Sequence, residues 1–203
     1  VGMECANFPA RWYRRNIQIL LRKVREMIPK YPLATSSWDH AEYDALDRVI
    51  KSNQFSMGPE VSAFEEQFAR QFGSRYAVMV NSGSSANLLI VAALRYTQND
   101  KIKILEGAEI IVPAVSWSTT YFPLQQYGLK LKFVDIDLNT LNYNIKALKD
   151  AVTDETRAIM VVNLLGNPND FDAIKNIIDG RKIVMIEDNC ESMGATFNGR
   201  QAG

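Results

Sequence analysis

Cysteine is nearly absent from the chain: Cys5 and Cys190 are the only two, far apart in sequence. That usage excludes a disulfide framework and fits a reducing compartment. Histidine is scarcer still, with His40 alone, so a nitrogen-rich metal site has no ligands to draw on. Neither sign of charge is in excess, because 23 Lys plus Arg balance 23 Asp plus Glu. This removes the electrostatic case for nucleic acid or an anionic membrane as partner. No apolar run approaches the roughly 18 residues needed to span a bilayer, and the N-terminus lacks an apolar core followed by a small-residue cleavage site. No Gly-x-Gly-x-x-Gly fingerprint occurs, which sets aside a nicotinamide oxidoreductase. A cytoplasmic enzyme is the expectation that remains.

What is present is ordinary for a globular protein: 203 residues, 47% hydrophobic and 23% charged, enough for one substantial core. The chain starts at Val1 rather than Met and stops at Gly203 within what reads as a loop. Both ends look arbitrary, so a piece of a longer protein is expected.

Residues 10–28 read as a basic amphipathic helix, with Ile17, Leu20, Leu21, Val24 and Ile28 on one face and Arg14, Arg15, Arg22 and Arg25 elsewhere. It is expected to pack on its own domain or a dimer mate rather than on a membrane. Pro29 and Pro32 end it and divide a segment 1–30 from a larger domain 31–203. Asp39 followed by Glu42 is a capping box that opens a helix through Leu46, Val49 and Ile50. Val61, Phe64, Phe68 and Phe72 predict a second helix, stopped by Gly73. Strands and helices then alternate: strand 76–80, helix 84–96, strand 109–113, helix 117–127 ended by Gly128, strand 130–135, helix 145–152, strand 157–163, helix 170–179 and strand 182–187. Several strands are continuous apolar runs, as happens when helices cover both faces of a parallel sheet. The fold class is therefore α/β with a mainly parallel sheet, and ligands are sought at the carboxyl ends of its strands.

Three loops there carry chemistry. Asn81-Ser-Gly-Ser-Ser-Ala-Asn87 opens a helix, and its amides, the helix dipole and the hydroxyls of Ser82, Ser84 and Ser85 make a phosphate cradle around Gly83. An N-capped turn uses the same residue types, and the loop alone does not separate the two. In Val112-Pro-Ala-Val-Ser-Trp-Ser-Thr-Thr120, Trp117 stands at a helix mouth where an indole stacks on a flat ligand or caps the core. In Ile183-Val-Met-Ile-Glu-Asp-Asn-Cys-Glu-Ser192, an apolar strand ends in Glu187 and Asp188, with Glu191 following. A half-buried carboxylate there needs a cation, and a protonated pyridine nitrogen is one; helix capping is the plainer role. Together the loops supply the parts of a pyridoxal-phosphate site.

Residues 31–203 resemble the DegT/DnrJ-type family of sugar-nucleotide aminotransferases. Three stretches look like its dehydratase branch: Leu33-Ala-Thr-Ser-Ser-Trp38, Pro113-Ala-Val-Ser-Trp-Ser-Thr-Thr-Tyr-Phe-Pro-Leu-Gln-Gln-Tyr127 and Glu187-Asp-Asn-Cys-Glu-Ser-Met-Gly194. The usual aminotransferases carry a Phe-Thr-type stretch in place of Ser116-Trp117, and Glu-Asp-Ala-Ala followed by Gln or His in place of 187–191. The resemblance implies the large domain of the aspartate-aminotransferase-like fold (fold type I). It also implies a pyridoxal 5'-phosphate or pyridoxamine 5'-phosphate cofactor, and a homodimer in the complete protein. The implied reaction is 3-dehydration of a nucleotide-linked 4-keto-6-deoxy sugar, GDP- or CDP-linked, en route to surface-polysaccharide dideoxysugars. The runner-up is an aminotransferase of the same family, and the third alternative is a non-catalytic binding or dimerisation module.

By the same resemblance Gly83 and Ser84 hold the cofactor phosphate and Trp117 stacks on its ring. Asp188 pairs with the ring nitrogen, and Glu191 lies near the phenolic oxygen. The family's Lys, or the dehydratases' His, falls after Gly203, so no residue of this chain is assigned the catalytic base, and His40 is not put forward. The sheet is expected to show an unpaired edge and exposed apolar faces that lower solubility. Cys190 matches a position that helps hold an iron–sulfur cluster in the CDP-linked type. A small buried residue is the favoured reading there, and no other metal is expected.

Overall fold

The computed structural model describes residues 35–203. The basic helix expected over 10–28, with Pro29 and Pro32, lies outside the described residues. Two compact units divide after Phe55.

The first unit contributes helix α1 (His40–Ser52). Its start follows from two acids. The Asp39 carboxylate accepts from the Ala41 amide at 2.7 Å, and the Glu42 carboxylate accepts from the Asp39 amide at 2.7 Å. Amides that a helix N-terminus leaves unpaired are thereby satisfied.

The second unit, Ser56–Gly203, opens with α2 (Pro59–Phe72), which has Pro at its start and ends at Gly73 with φ 66°. Phe64, Phe68 and Phe72 run along it with ring separations of 5.6 and 4.5 Å, the spacing that i, i+4 neighbours impose.

The expected strand at 76–80 does not form. These residues carry no ladder, and Tyr76, Val78 and Met79 are exposed. A strand exists only through a neighbour's hydrogen bonds, and no described strand lies alongside. The Met79 amide donates instead to the Glu65 carboxylate at 2.8 Å. An apolar run with two β-branched residues does not make a strand without a partner to pair with.

The next helix, α3 (Gly83–Tyr96), leads to the parallel sheet. The succession is β1 (Glu109–Pro113), α4 (Ser118–Gln126), β2 (Lys130–Val134), α5 (Ile145–Ala151), β3 (Thr156–Val162), α6 (Phe171–Ile178) and β4 (Val184–Asp188). Spatial order is β2-β1-β3-β4, with every pair parallel. Alternating side chains fill two cores. Ile110, Val112, Ala158, Met160 and Ile186 pack with Val91 of α3 and Leu124 of α4. Ile111, Ile159 and Val161 pack with Leu148 of α5 and with Phe171 and Ile174 of α6. That period of two is the pleat, and it explains why both faces of the central strands are apolar. The chain leaves β1 toward β2 and later returns past it to β3, so right-handed crossovers must use opposite faces. Such a reversal creates a crevice at the carboxyl ends of β1 and β3.

Two local features were absent from the sequence reading. A tight turn, Leu164–Gly166, follows β3 with Leu165 at φ 54° and Gly166 at φ 81°. A hairpin, β5 (Thr196–Phe197) with β6 (Arg200–Gln201), replaces the expected loop. Its two connecting residues, Asn198 and Gly199, have φ 50° and 76°, the left-handed pair that matches strand twist in tight hairpins.

Candidate functional site

Strand β4 ends at its carboxyl side in Asp188, which is only 8% exposed. Burying a carboxylate costs several kcal/mol unless its oxygens are satisfied. Here Oδ2 accepts from Asn87 Nδ2 at 2.9 Å and from Thr120 Oγ1 at 3.2 Å, while Oδ1 accepts from the Cys190 amide at 3.2 Å. All three donors are neutral, and no Lys or Arg among the described residues pairs with this group.

Asn87 and Thr120 fix where the other loops lie. Asn87 is three to four residues after Gly83 and Ser84, and Thr120 three after Trp117. One turn of helix therefore separates each loop from an atom touching Asp188, about 5 Å along the axis. Four of the five residues singled out in the sequence, Gly83, Ser84, Trp117 and Asp188, are thus gathered at one end of the sheet. At the start of α3, Ser82 Oγ accepts from the Ser85 amide at 3.2 Å, which occupies Ser82 with capping. Gly83 has no atom within 4 Å of where a Cβ would stand, so its face is open. Ser84 is exposed. Trp117 is 74% exposed at the N-cap of α4, so it does not cap the core formed by the described residues. Tyr121, one turn further, donates to the Pro113 carbonyl at 2.8 Å and so ties α4 to the end of β1. Burial pushes its phenol up, with a hydrogen bond to Ser116 acting the other way.

Glu191, the fifth, lies in the turn after β4, where its carboxylate accepts from the Leu165 amide at 2.5 Å. The left-handed turn after β3 is what aims that amide. Gly166 is required in it: at φ 81° a Cβ would also come within 3.3 Å of the Glu191 carbonyl oxygen. Gly166→Ala is expected to destabilise the protein by about 1–2 kcal/mol, visible as a lower urea midpoint.

Cys190 is exposed, not buried as the sequence reading favoured, because the chain turns outward immediately after β4. Partial desolvation, the hydrogen bond and charge of Asp188 and the charge of Glu191 push its thiol up to about 12. Metal ligation needs the thiolate, and no group of three His, Cys, Asp or Glu side chains converges among the described residues.

A family model, the DegT/DnrJ/EryC1/StrS aminotransferase family, matches residues 36–203. The chain belongs to this family. GDP-4-keto-6-deoxy-D-mannose 3-dehydratase of Escherichia coli O55:H7 is 64% identical over 173 residues, 85% of this chain and 44% of that protein. Its counterpart in Yersinia pseudotuberculosis is 59% identical over 180 residues, 89% of this chain and 45% of that protein. A solved structure of the E. coli enzyme with bound hydrated pyridoxal phosphate superposes with a TM-score of 0.82 at 63% identity, over 86% of this chain and 44% of that one. The chain therefore spans under half the length of the relatives it matches. The fold is the fold type I architecture of these enzymes and of the family's aminotransferases, such as one from Psychrobacter cryohalolentis at TM-score 0.76 and 31% identity.

The residues present fit the family's pyridoxal-type group on structural grounds. Asp188 is a buried anion without a cationic neighbour among the described residues. Beside it stand an open helix N-terminus and an uncovered indole. Sequence reasoning missed Asn87 and Thr120. The signal was there in Asn87, an amide inside the otherwise apolar run Ala86–Ala93 of α3.

Among the described residues no helix is long and apolar enough to cross a membrane.

Proposed function

We propose that the full-length protein is a pyridoxamine- or pyridoxal-phosphate-dependent 3-dehydratase of a nucleotide-linked 4-keto-6-deoxyhexose, with GDP-4-keto-6-deoxymannose the first candidate substrate. The observation that carries this reading is the identity gradient. Identity is 64% to a dehydratase of that GDP-sugar. It falls to 42% for a dTDP-sugar 3-dehydratase of Saccharopolyspora spinosa and 32% for an aminotransferase of Pseudomonas aeruginosa.

In this reading the chain's own residues bind and orient. The amides of Gly83 and Ser84 and the Ser84 hydroxyl hold a phosphate at the positive end of α3. Trp117 lays its exposed indole on a flat ring. Asp188 presents a fixed negative charge to a protonated ring nitrogen, and Glu191, anchored by the Leu165 amide, stands toward the phenolic oxygen. When bound, the cofactor supplies an amine for the 4-keto group and a ring that accepts electron density as the C3 oxygen leaves. No residue of this chain is assigned the base. The full-length protein acts as a homodimer in the cytoplasm.

The test is product analysis with the full-length protein, pyridoxamine phosphate in molar excess as the amine that is oxidised to the aldehyde form, and GDP-4-keto-6-deoxymannose. A product whose hexose has lost the C3 oxygen and carries no amino group is expected. An amino sugar would transfer the protein to the aminotransferases, and an unchanged sugar would remove this substrate.

A further inference from the structure

Asn87 is the one buried polar residue of α3, 7% exposed, with Leu88, Leu89, Ile90 and Val91 following it. An asparagine inside a helix lowers local stability relative to the leucines around it, so its place needs a compensating contact. Both amide hydrogens have one. The first goes to Asp188 Oδ2 at 2.9 Å. The second points at the Thr119 carbonyl at 3.5 Å. That carbonyl is available because Pro123, four residues on, has no N–H to return to it. Thr120, buried on the facing helix, adds its hydroxyl to the same Oδ2 at 3.2 Å, and Ser116 Oγ lies 3.0 Å from that hydroxyl.

The two oxygens of Asp188 are therefore unlike. Oδ2 receives two side-chain donors from two helices. Oδ1 receives a single amide, that of Cys190, two residues along its own chain. A carboxylate offers about four acceptor positions over its two oxygens, so the spare capacity is on Oδ1. We infer that Asn87 and Thr120 are positioning residues that clamp Oδ2 and so turn Oδ1 toward the cation that Asp188 serves. The inference rests on the reading of Asp188 as the partner of a protonated ring nitrogen. It adds which oxygen does this and which side chains hold it there. Neutral donors suit that task, since a Lys or Arg in their place would neutralise the charge the nitrogen requires.

The experiment uses the full-length protein with pyridoxal phosphate as probe. Asn87→Leu, Thr120→Val, Thr120→Ser and Asp188→Asn are compared in three readouts: cofactor Kd, the pH dependence of bound-cofactor absorption, and thermal melting. Asn87→Leu is expected to weaken Kd about tenfold, the scale of one lost hydrogen bond to a charged group. It should also move the absorption transition down by about one pH unit, because a loosened carboxylate protects the ring proton less. Thr120→Val is expected to weaken Kd several-fold, and Thr120→Ser to restore it. A purely structural role would lower the melting temperature and leave the absorption transition where it was. Folded Asn87→Leu and Thr120→Val proteins with unchanged Kd and pH profile overturn the inference, and Thr120→Val decides alone if Asn87→Leu does not fold. If Asp188→Asn also behaves as wild type, the assignment of Asp188 falls too. If only Asp188→Asn is impaired, that assignment stands and the clamp alone is rejected.

Discussion

Replacing Asp188 by Asn is expected to lower turnover of the full-length enzyme by about a hundredfold or more, the scale of losing one preorganised charge at a reacting group. The change is nearly isosteric. Its carbonyl oxygen can take the place of Oδ2 and keep the donors of Asn87 at 2.9 Å and Thr120 at 3.2 Å. The new NH2 then occupies the position of Oδ1, where it faces the Cys190 amide and any protonated ring nitrogen. Two donors now point at each other, which costs about 1 kcal/mol of stability, and the nitrogen loses its counter-ion. The measurement is kcat beside a urea unfolding curve. Near-wild-type turnover in a folded Asp188→Asn protein would sink the role of Asp188.

A second large effect is expected in the sheet. Ile159 lies in β3, opposite Ile111 of β1 on one side and Met185 of β4 on the other, and is fully buried. Its side chain packs in the core that Leu148, Phe171 and Ile174 close from α5 and α6. Strands held on both sides cannot collapse onto a void, so Ile159→Ala should cost about 2–5 kcal/mol. That is a large share of the 5–15 kcal/mol typical of whole domains. A lower urea midpoint with an unchanged slope is the expected result. A midpoint shift worth less than about 1 kcal/mol would mean that β3 is not held rigidly at the centre.

Much of the fold was legible because its signals are local. The Asp39–Glu42 capping box, the glycine stop at Gly73, the apolar run at 109–113 and the alternating Lys-Leu-Lys-Phe stretch at 130–133 each specify an element through residues a few positions apart. The Asn198-Gly199 pair was equally local and still escaped the sequence reading, since strands of only two residues show no alternation. The segment 76–80 failed for the opposite reason. Its residues prefer an extended backbone, but pairing is decided by what lies beside it.

The site divides along the same line. Gly83, Ser84, Trp117, Asp188 and Glu191 could be picked out one loop at a time, since each loop joins a residue type to an element end. Their convergence could not. Asn87 and Asp188 are 101 positions apart, and Thr120 and Asp188 are 68 apart. Nothing within either window of sequence refers to the other. Nor does composition reveal that Leu165 takes a left-handed conformation to aim its amide at Glu191. By itself, the sequence determined the helices and the four parallel strands from residue 40 onward and the residue types at the strand ends, because propensity, capping and periodicity act over a few residues. Only the tertiary structure decided which strand ends meet, which oxygen of Asp188 is clamped and that Cys190 turns outward, because those depend on contacts closed by the order of strands in the sheet.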